Sequence, residues 1–242
     1  LNLENKFKKT KRELFNKEYF TNRDISYYNE EGLTLDNYRK SYSCLISVMK
    51  EIEKLYSRVG LFKGGIKALD LGCGFGYLVK MLNDSGVNTK GVDISDYAIE
   101  NVCAPDIKSK VVCGDILNLP EYFEEDEFNV VFASAILEYY SEEEIYRIME
   151  GLSRVTMDAS RLVVLSFTNG GGLSVNDEAY NDKYRMTKIS PVEWCKILTY
   201  ADEVSLEKIN MLSSLGEITV FQCSIHGLIE NNENNNIKAI GV

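Results

Sequence analysis

At 242 residues the chain is long enough for one large domain or two small ones with a full core. Hydrophobic residues at 45% and charged residues at 26% exclude a wholly disordered or collagen-like chain. With 27 basic against 37 acidic residues the net charge is −10, a field that repels a phosphate backbone, so no nucleic-acid partner is expected.

Residues 1–36 are polar with aromatics interleaved: Phe15, Tyr19, Phe20, Tyr27 and Tyr28. Five cations between Lys6 and Arg12 read as a solvated helix face or a local basic patch. From Asn37 to Val59 apolar residues recur with the 3, 4, 7 spacing of an amphipathic helix (Tyr38, Tyr42, Leu45, Ile46, Met49, Ile52, Leu55). Residues 1–60 are thus expected to form an N-terminal helical cap, which Gly60, Gly64 and Gly65 end. Beyond it short apolar runs alternate with helical stretches. Strands are predicted over 66–71, 88–93, 109–113, 128–133 and 161–167, and helices over Tyr77–Asp84, Asp96–Cys103 and Glu142–Thr156. The last helix opens with the Ser141/Glu144 capping box. Strands rich in Val, Leu and Ile without polar alternation need helices on both faces, which predicts an α/β, doubly wound, mostly parallel sheet. Ser190-Pro191-Val192-Glu193 opens a further helix to about Tyr200, and runs 204–210 and 217–225 predict an antiparallel hairpin. The domain is expected to span 61–227, with an asparagine-rich tail at 228–242.

The longest apolar run, Phe128–Leu137, is broken by Asn129 and Ser134 and falls short of the ~18 residues a membrane helix needs, so no membrane span is expected. Leu1 is followed by Asn, Glu and Lys, so no signal peptide is read. The six cysteines are scattered without CxxC pairing, which speaks against a disulfide framework or a structural metal and for a soluble, cytoplasmic protein with reduced thiols. Cys113 and Cys223, in apolar runs, are expected in the core. The single histidine, His226, leaves little room for a histidine base or a histidine-rich metal site, and no metal is expected.

The sharpest signal is Ala68-Leu69-Asp70-Leu71-Gly72-Cys73-Gly74-Phe75-Gly76-Tyr77, a strand running into glycines and then a helix. Glycine permits positive φ and lets a ligand approach the backbone. The dinucleotide fingerprint G-x-G-x-x-G places its third glycine where Tyr77 stands, and that spacing argues against NAD or FAD. Asp93 ends the second strand, 21 residues after Gly72, where a carboxylate accepts from ribose hydroxyls. Asp115 ends the third, where it can accept from an adenine amino group while Ile116 packs on the ring. Asp70 can attract an ammonium or sulfonium end. Each aspartate alone also reads as a helix cap or turn residue.

These motifs, LDLGCGFG, GVDIS, CGDILNLP and FNVVFASAILEYY, resemble those of the class I S-adenosylmethionine-dependent methyltransferases over residues 66–225. The resemblance implies S-adenosyl-L-methionine as cofactor and a Rossmann-like seven-stranded sheet with an antiparallel last strand. It implies a cofactor site at Asp70, Gly72, Cys73, Gly74, Gly76, Asp93, Ile94, Asp115, Ile116 and Ala133. A weaker likeness, through Glu18-Tyr19-Phe20, Tyr27-Tyr28 and the Pro191–Trp194 helix, points to methyltransferases of glycan and small-molecule biosynthesis. The acceptor is then a small molecule or glycan, O- or N-methylated; a peptide or protein acceptor, or a non-catalytic cofactor-binding module, is the alternative. Glu138 and Tyr139 stand where such enzymes often carry a Leu-Glu-His turn and are the candidate bases. The acceptor is expected under two segments, Phe15–Tyr42 and Thr168–Ile189, with Tyr27, Tyr28, Tyr184 and Arg185 as candidate contacts.

Overall fold

The computed structural model describes residues 10–22, 24–26, 34–36, 38–40, 46, 49–50, 53–54, 58, 64–167, 184, 207–213 and 216–224. The predicted helix from Ser190, the residues around Tyr184 and the tail lie outside them. The sheet is built from β1 (Lys67–Leu71), β2 (Asn88–Asp93), β3 (Val111–Cys113), β4 (Phe128–Ser134) and β5 (Thr156–Phe167), followed by β6 (Glu207–Ser213) and β7 (Gly216–Ser224). The order is β3-β2-β1-β4-β5-β7-β6. The first five strands pair in parallel, and β7 pairs antiparallel with both β5 and β6. This is an α/β Rossmann-like arrangement, and its order reverses between β1 and β4, where a crevice opens at the carboxyl ends of the strands.

The α-helices whose bounds are described are α1 (Lys11–Leu14), α2 (Lys17–Thr21), α3 (Tyr77–Asp84), α4 (Asp96–Glu100) and α5 (Glu142–Val155). Alternate residues of β1 and β4 enter two separate cores, as the period of two requires. Ala68, Val130 and Phe132 pack with Leu78, Met81 and Leu82 of α3. Leu69, Leu71, Val131 and Ala133 pack with Ile145, Ile148 and Leu152 of α5. Every described residue from 38 to 40 and from 46 to 58 is helical, and Tyr38, Ile46 and Met49 join the α3 side. Asn129 is buried within β4 and satisfied there: its Oδ1 accepts from the Lys67 N–H at 2.9 Å and its Nδ2 donates to the Gly65 carbonyl at 3.0 Å. It thereby fixes the chain where it enters β1.

The capping box at α5 is formed, with Ser141 and Glu144 exchanging bonds of 2.9 and 3.2 Å. The helix predicted to reach Cys103 stops at Glu100, and Pro105–Lys110 instead makes a 3-10 turn, since proline at its start supplies no N–H to continue a helix. Cys113 is a second departure: it is half-buried, its Sγ 3.2 Å from Asp96 Oδ1, on the rim rather than in the core.

Candidate active site

The loop after β1 is shaped by three glycines at positive φ: Gly72 at 66°, Gly74 at 52° and Gly76 at 75°. Their surroundings differ. A Cβ on Gly72 would stand 2.5 Å from Ile136 Cδ1, and one on Gly76, the N-cap of α3, 2.6 Å from Ile107 Cδ1. A Cβ on Gly74 would meet nothing within 4 Å. Gly72 is therefore hemmed in by Ile136 down to its Cβ, Gly76 crowds only the far end of Ile107 and is set by its positive φ, and Gly74 leaves its open side to the cleft it lines. The amides of Gly72 and Cys73 both donate to the Val92 carbonyl, at 2.8 and 3.0 Å, and so tie the loop to β2.

Asp93 ends β2 with both carboxylate oxygens engaged by backbone: Oδ2 accepts from the Gly74 N–H and Oδ1 from the Ser95 N–H, each at 2.8 Å. Burial pushes its pKa up while these two amides pull it down. A carboxylate oxygen can accept more than one bond, so this fixed geometry also suits vicinal hydroxyls. Asp70 is buried, and desolvation followed by the charge of Asp93 raises its carboxyl well above the ordinary range. Asp115 caps the turn Ile116–Glu121, its Oδ1 accepting from the Leu117 N–H at 3.0 Å and from the Tyr140 hydroxyl at 3.3 Å.

A cleft open to solvent lies over these strand tips. Gly72, Gly74, Asp93, Ile94 and Ile116 line it on one side, and Ser134, Ala135, Ile136, Tyr139 and Tyr140 on the other. Phe15, Tyr19 and Phe20 complete the wall. Their helices, of 4 and 5 residues, are too short to persist alone and are held by side chains. Lys11 Nζ donates to Glu144 Oε1 at 2.8 Å and sits 3.6 Å from the centre of the Tyr140 ring. Arg12 Nε donates to Asp96 Oδ2 at 2.8 Å, and this guanidinium holds the Asp96 carboxyl down to about 2. The segment is anchored at both edges of the cleft. Phe15 stands edge-on to Tyr19 and Tyr139, and the Tyr19 and Tyr139 hydroxyls meet at 2.7 Å.

Of the cofactor residues named from sequence, five line the cleft and five do not. Cys73 packs against Gly91, Gly76 caps α3, Ala133 is in the core, Asp70 is buried beneath the loop and Asp115 reaches the wall through Tyr140. Of the candidate bases, Tyr139 lines the cleft, while Glu138 is buried and does not. Tyr184 stacks on Tyr19 with centroids 5.8 Å apart; Tyr27, Tyr28 and Arg185 lie outside the described residues. The sequence reading missed Ser134–Ile136 and Tyr140. Ala135 adopts φ 49°, a left-handed turn for which alanine gives no signal. The Tyr139-Tyr140 pair beside the capping box was the available clue.

A family model described as "Methyltransferase domain" matches residues 69–164. No curated protein sequence matches this chain. Among solved structures, the chain is similar to an S-adenosylmethionine-dependent methyltransferase from Archaeoglobus fulgidus, at 17% identity and a TM-score of 0.55, covering 76% of this chain and 99% of that one. It is similar to the magnesium protoporphyrin IX methyltransferase ChlM from Synechocystis PCC 6803 with bound S-adenosylhomocysteine, at 16% identity and a TM-score of 0.52, covering 77% and 85%. The bifunctional kinase-methyltransferase WbdD aligns at 17% identity and a TM-score of 0.53, over 76% of this chain and 40% of that one. At these identities the structural likeness concerns the fold. Among the described residues no helix is long and apolar enough to cross a membrane, and no cluster of His, Cys, Asp and Glu could hold a metal.

Proposed function

We propose that the chain, whose residues 69–164 match a methyltransferase-domain model, is a class I S-adenosylmethionine-dependent methyltransferase with S-adenosyl-L-methionine as its cofactor, and that it methylates an oxygen or nitrogen atom of a small molecule or glycan-type acceptor. The observation that carries the assignment of the cofactor site is Asp93, clamped by the Gly74 and Ser95 amides beside a glycine whose open side faces the cleft. Asp93 would accept from the ribose hydroxyls, Ile94 and Ile116 would enclose the adenine, and Asp115 would face its amino group. The backbone from Gly72 to Gly76 would follow the methionine end, with Asp70 beneath its positive charge.

When bound, the cofactor supplies a methyl group already activated on a sulfonium, so the protein has to bind, orient and exclude water. Alignment of the reactants is worth ~7–11 kcal/mol of the barrier. For a hydroxyl acceptor Tyr139, on the cleft wall, is a better placed proton-handling group than buried Glu138. In this reading residues 1–60 are the cap over a seven-stranded sheet with its last strand reversed, 61–227 the catalytic domain and 228–242 the tail. Tyr27, Tyr28, Tyr184 and Arg185 cover the acceptor, and the protein works in the cytoplasm. The net charge of −10 speaks for an acceptor other than nucleic acid.

Two measurements test this. In calorimetry S-adenosylhomocysteine binds the wild type and binds Asp93→Ala at least about tenfold more weakly; equal affinity overturns the ribose assignment. Tritiated methyl from S-adenosylmethionine, offered with a cell extract and then ultrafiltered, is expected in the small-molecule or glycan fraction. Label confined to protein, or no label, overturns the acceptor class.

A further inference from the structure

The cleft has two sides of different chemistry. The tips of β2 and β3 contribute Asp93, Ile94 and Ile116, which suit a nucleoside. Across β1 from them the tip of β4 contributes Ser134–Ile136 and leads into Tyr139. Here stands a pair of buried phenols, Tyr19 at 3% and Tyr139 at 4% exposure, with hydroxyls 2.7 Å apart. One comes from the N-terminal segment and the other lies 120 residues further along the chain. We propose that Tyr19 is a positioning residue for methyl transfer: through this bond it fixes the Tyr139 phenol on the side of the cleft where the activated methyl and the acceptor atom meet. The proposal rests on the methyltransferase reading above and extends it to a residue outside the 69–164 segment.

The geometry favours a role beyond packing. The Tyr139 ring is already held edge-on by Phe15 at 5.2 Å, and Phe15 also braces Tyr19 at 4.8 Å, so ring packing alone would accept phenylalanine at either position. What the hydroxyls add is a direction. A phenol oxygen carries one O–H and two lone pairs and can serve more than one partner at once. Methyl hydrogens on a sulfonium are polarised, and an oxygen on the cleft wall can accept from them as a weak C–H···O donor. At the loop–β4 junction Ile136 packs against Gly72 and Tyr139 follows three residues later, and a nucleoside held by Asp93 would have its sulfonium end there in this proposal.

The test uses the full chain and S-adenosylmethionine enriched with carbon-13 in its methyl group. The methyl resonance of the bound cofactor is recorded for the wild type, Tyr19→Phe, Tyr139→Phe, the double variant and Lys11→Met, and S-adenosylhomocysteine affinity is measured by calorimetry. In the expected result either phenylalanine moves the bound methyl resonance toward its free position. The double variant moves it little further, affinity stays within about threefold, and Lys11→Met, which loosens the segment without touching the pair, leaves the resonance in place. An unmoved resonance in both single variants, with affinity retained, overturns the proposal and leaves the cofactor reading standing. So does an equal shift in Lys11→Met, which would make the effect one of general loosening. Absence of any bound methyl signal and of binding heat in the wild type overturns the cofactor reading itself, and this proposal with it.

Discussion

Replacing Gly72 by alanine separates two energies that the glycine loop holds together. The first is backbone strain: at φ 66° a Cβ is disfavoured by ~1–2 kcal/mol. The second is overpacking. The new methyl would lie 2.5 Å from Ile136 Cδ1, 2.6 Å from Cγ1 and 3.1 Å from Cβ, and rotation of the side chain cannot move that last atom away. The Ile136 backbone is itself fixed, its carbonyl accepting from the Tyr139 N–H at 3.2 Å. Overpacking of this kind costs ~1–3 kcal/mol. Gly72→Ala should therefore lose about 2–5 kcal/mol, a large part of the ~5–15 kcal/mol that keeps a domain folded. In the Gly72→Ala background, Ile136→Ala removes the Cγ1 and Cδ1 contacts and keeps the 3.1 Å Cβ contact, so it should cost less than in the wild type, relieving part of the ~1–3 kcal/mol steric cost and leaving the strain. Urea unfolding followed by circular dichroism measures all four corners of the cycle. Strict additivity of the two substitutions would refute the claim that Ile136 is what forbids a side chain at position 72.

Gly74→Ala should lose only the strain, about 1–2 kcal/mol, because its Cβ meets no protein atom, yet should weaken S-adenosylhomocysteine at least about tenfold by entering the cleft. Asn129→Ala should cost about 2–4 kcal/mol in the same melts, since the Lys67 N–H and the Gly65 carbonyl both lose their partner. Asp70 has its folded pKa raised above the ordinary 3.8, so its contribution to stability is complete below that pH and is lost as pH rises. Asp70→Asn should accordingly be more stable than the wild type at neutral pH, with the difference closing in melts at about pH 4. Asp96 has the opposite sign: with its pKa held near 2, the contribution of its pair with Arg12 is present above 3.8 and fades as pH falls toward 2. Arg12→Gln should thus lower the melting temperature at neutral pH and cease to differ from the wild type in strong acid.

The sheet was legible because its strands carry local signals. Val130–Ala133 is an unbroken apolar run and Ala68–Leu71 is interrupted only by Asp70, both with their two faces covered, and Gly72, Gly74 and Gly76 mark the turn that follows Leu71. The Ser141/Glu144 box was readable for the same reason, being local in sequence. Asp93 could be singled out because its place after a strand and its distance from the glycines are both fixed by the βα unit. Asp115 has the same position in the chain, but its oxygen serves a turn and Tyr140, and sequence does not distinguish these uses. What escaped is long-range. Nothing near Thr10–Thr21 announces that Lys11 will find Glu144 or that Arg12 will find Asp96 and draw Cys113 to the rim. The left-handed Ala135 is equally silent, because the tertiary setting and not the residue selects that conformation.

The attachment of residues 10–22 to both rims has a consequence for how such a molecule can diversify. The strand tips and their loop lie within one continuous stretch, whereas the facing wall of Phe15, Tyr19 and Phe20 comes from about fifty residues upstream, through a separate helical piece. Substitutions at Phe15 or Tyr19 would reshape that wall from outside the stretch that carries the glycine loop, whereas changes at Phe20, which packs on Phe75 and Tyr97, would reach the loop as well. Conversely, a fragment trimmed to the sheet would lose one side of the chamber together with Phe15, Tyr19, Phe20 and Ile25 from the core that they share with Leu69 and Leu71.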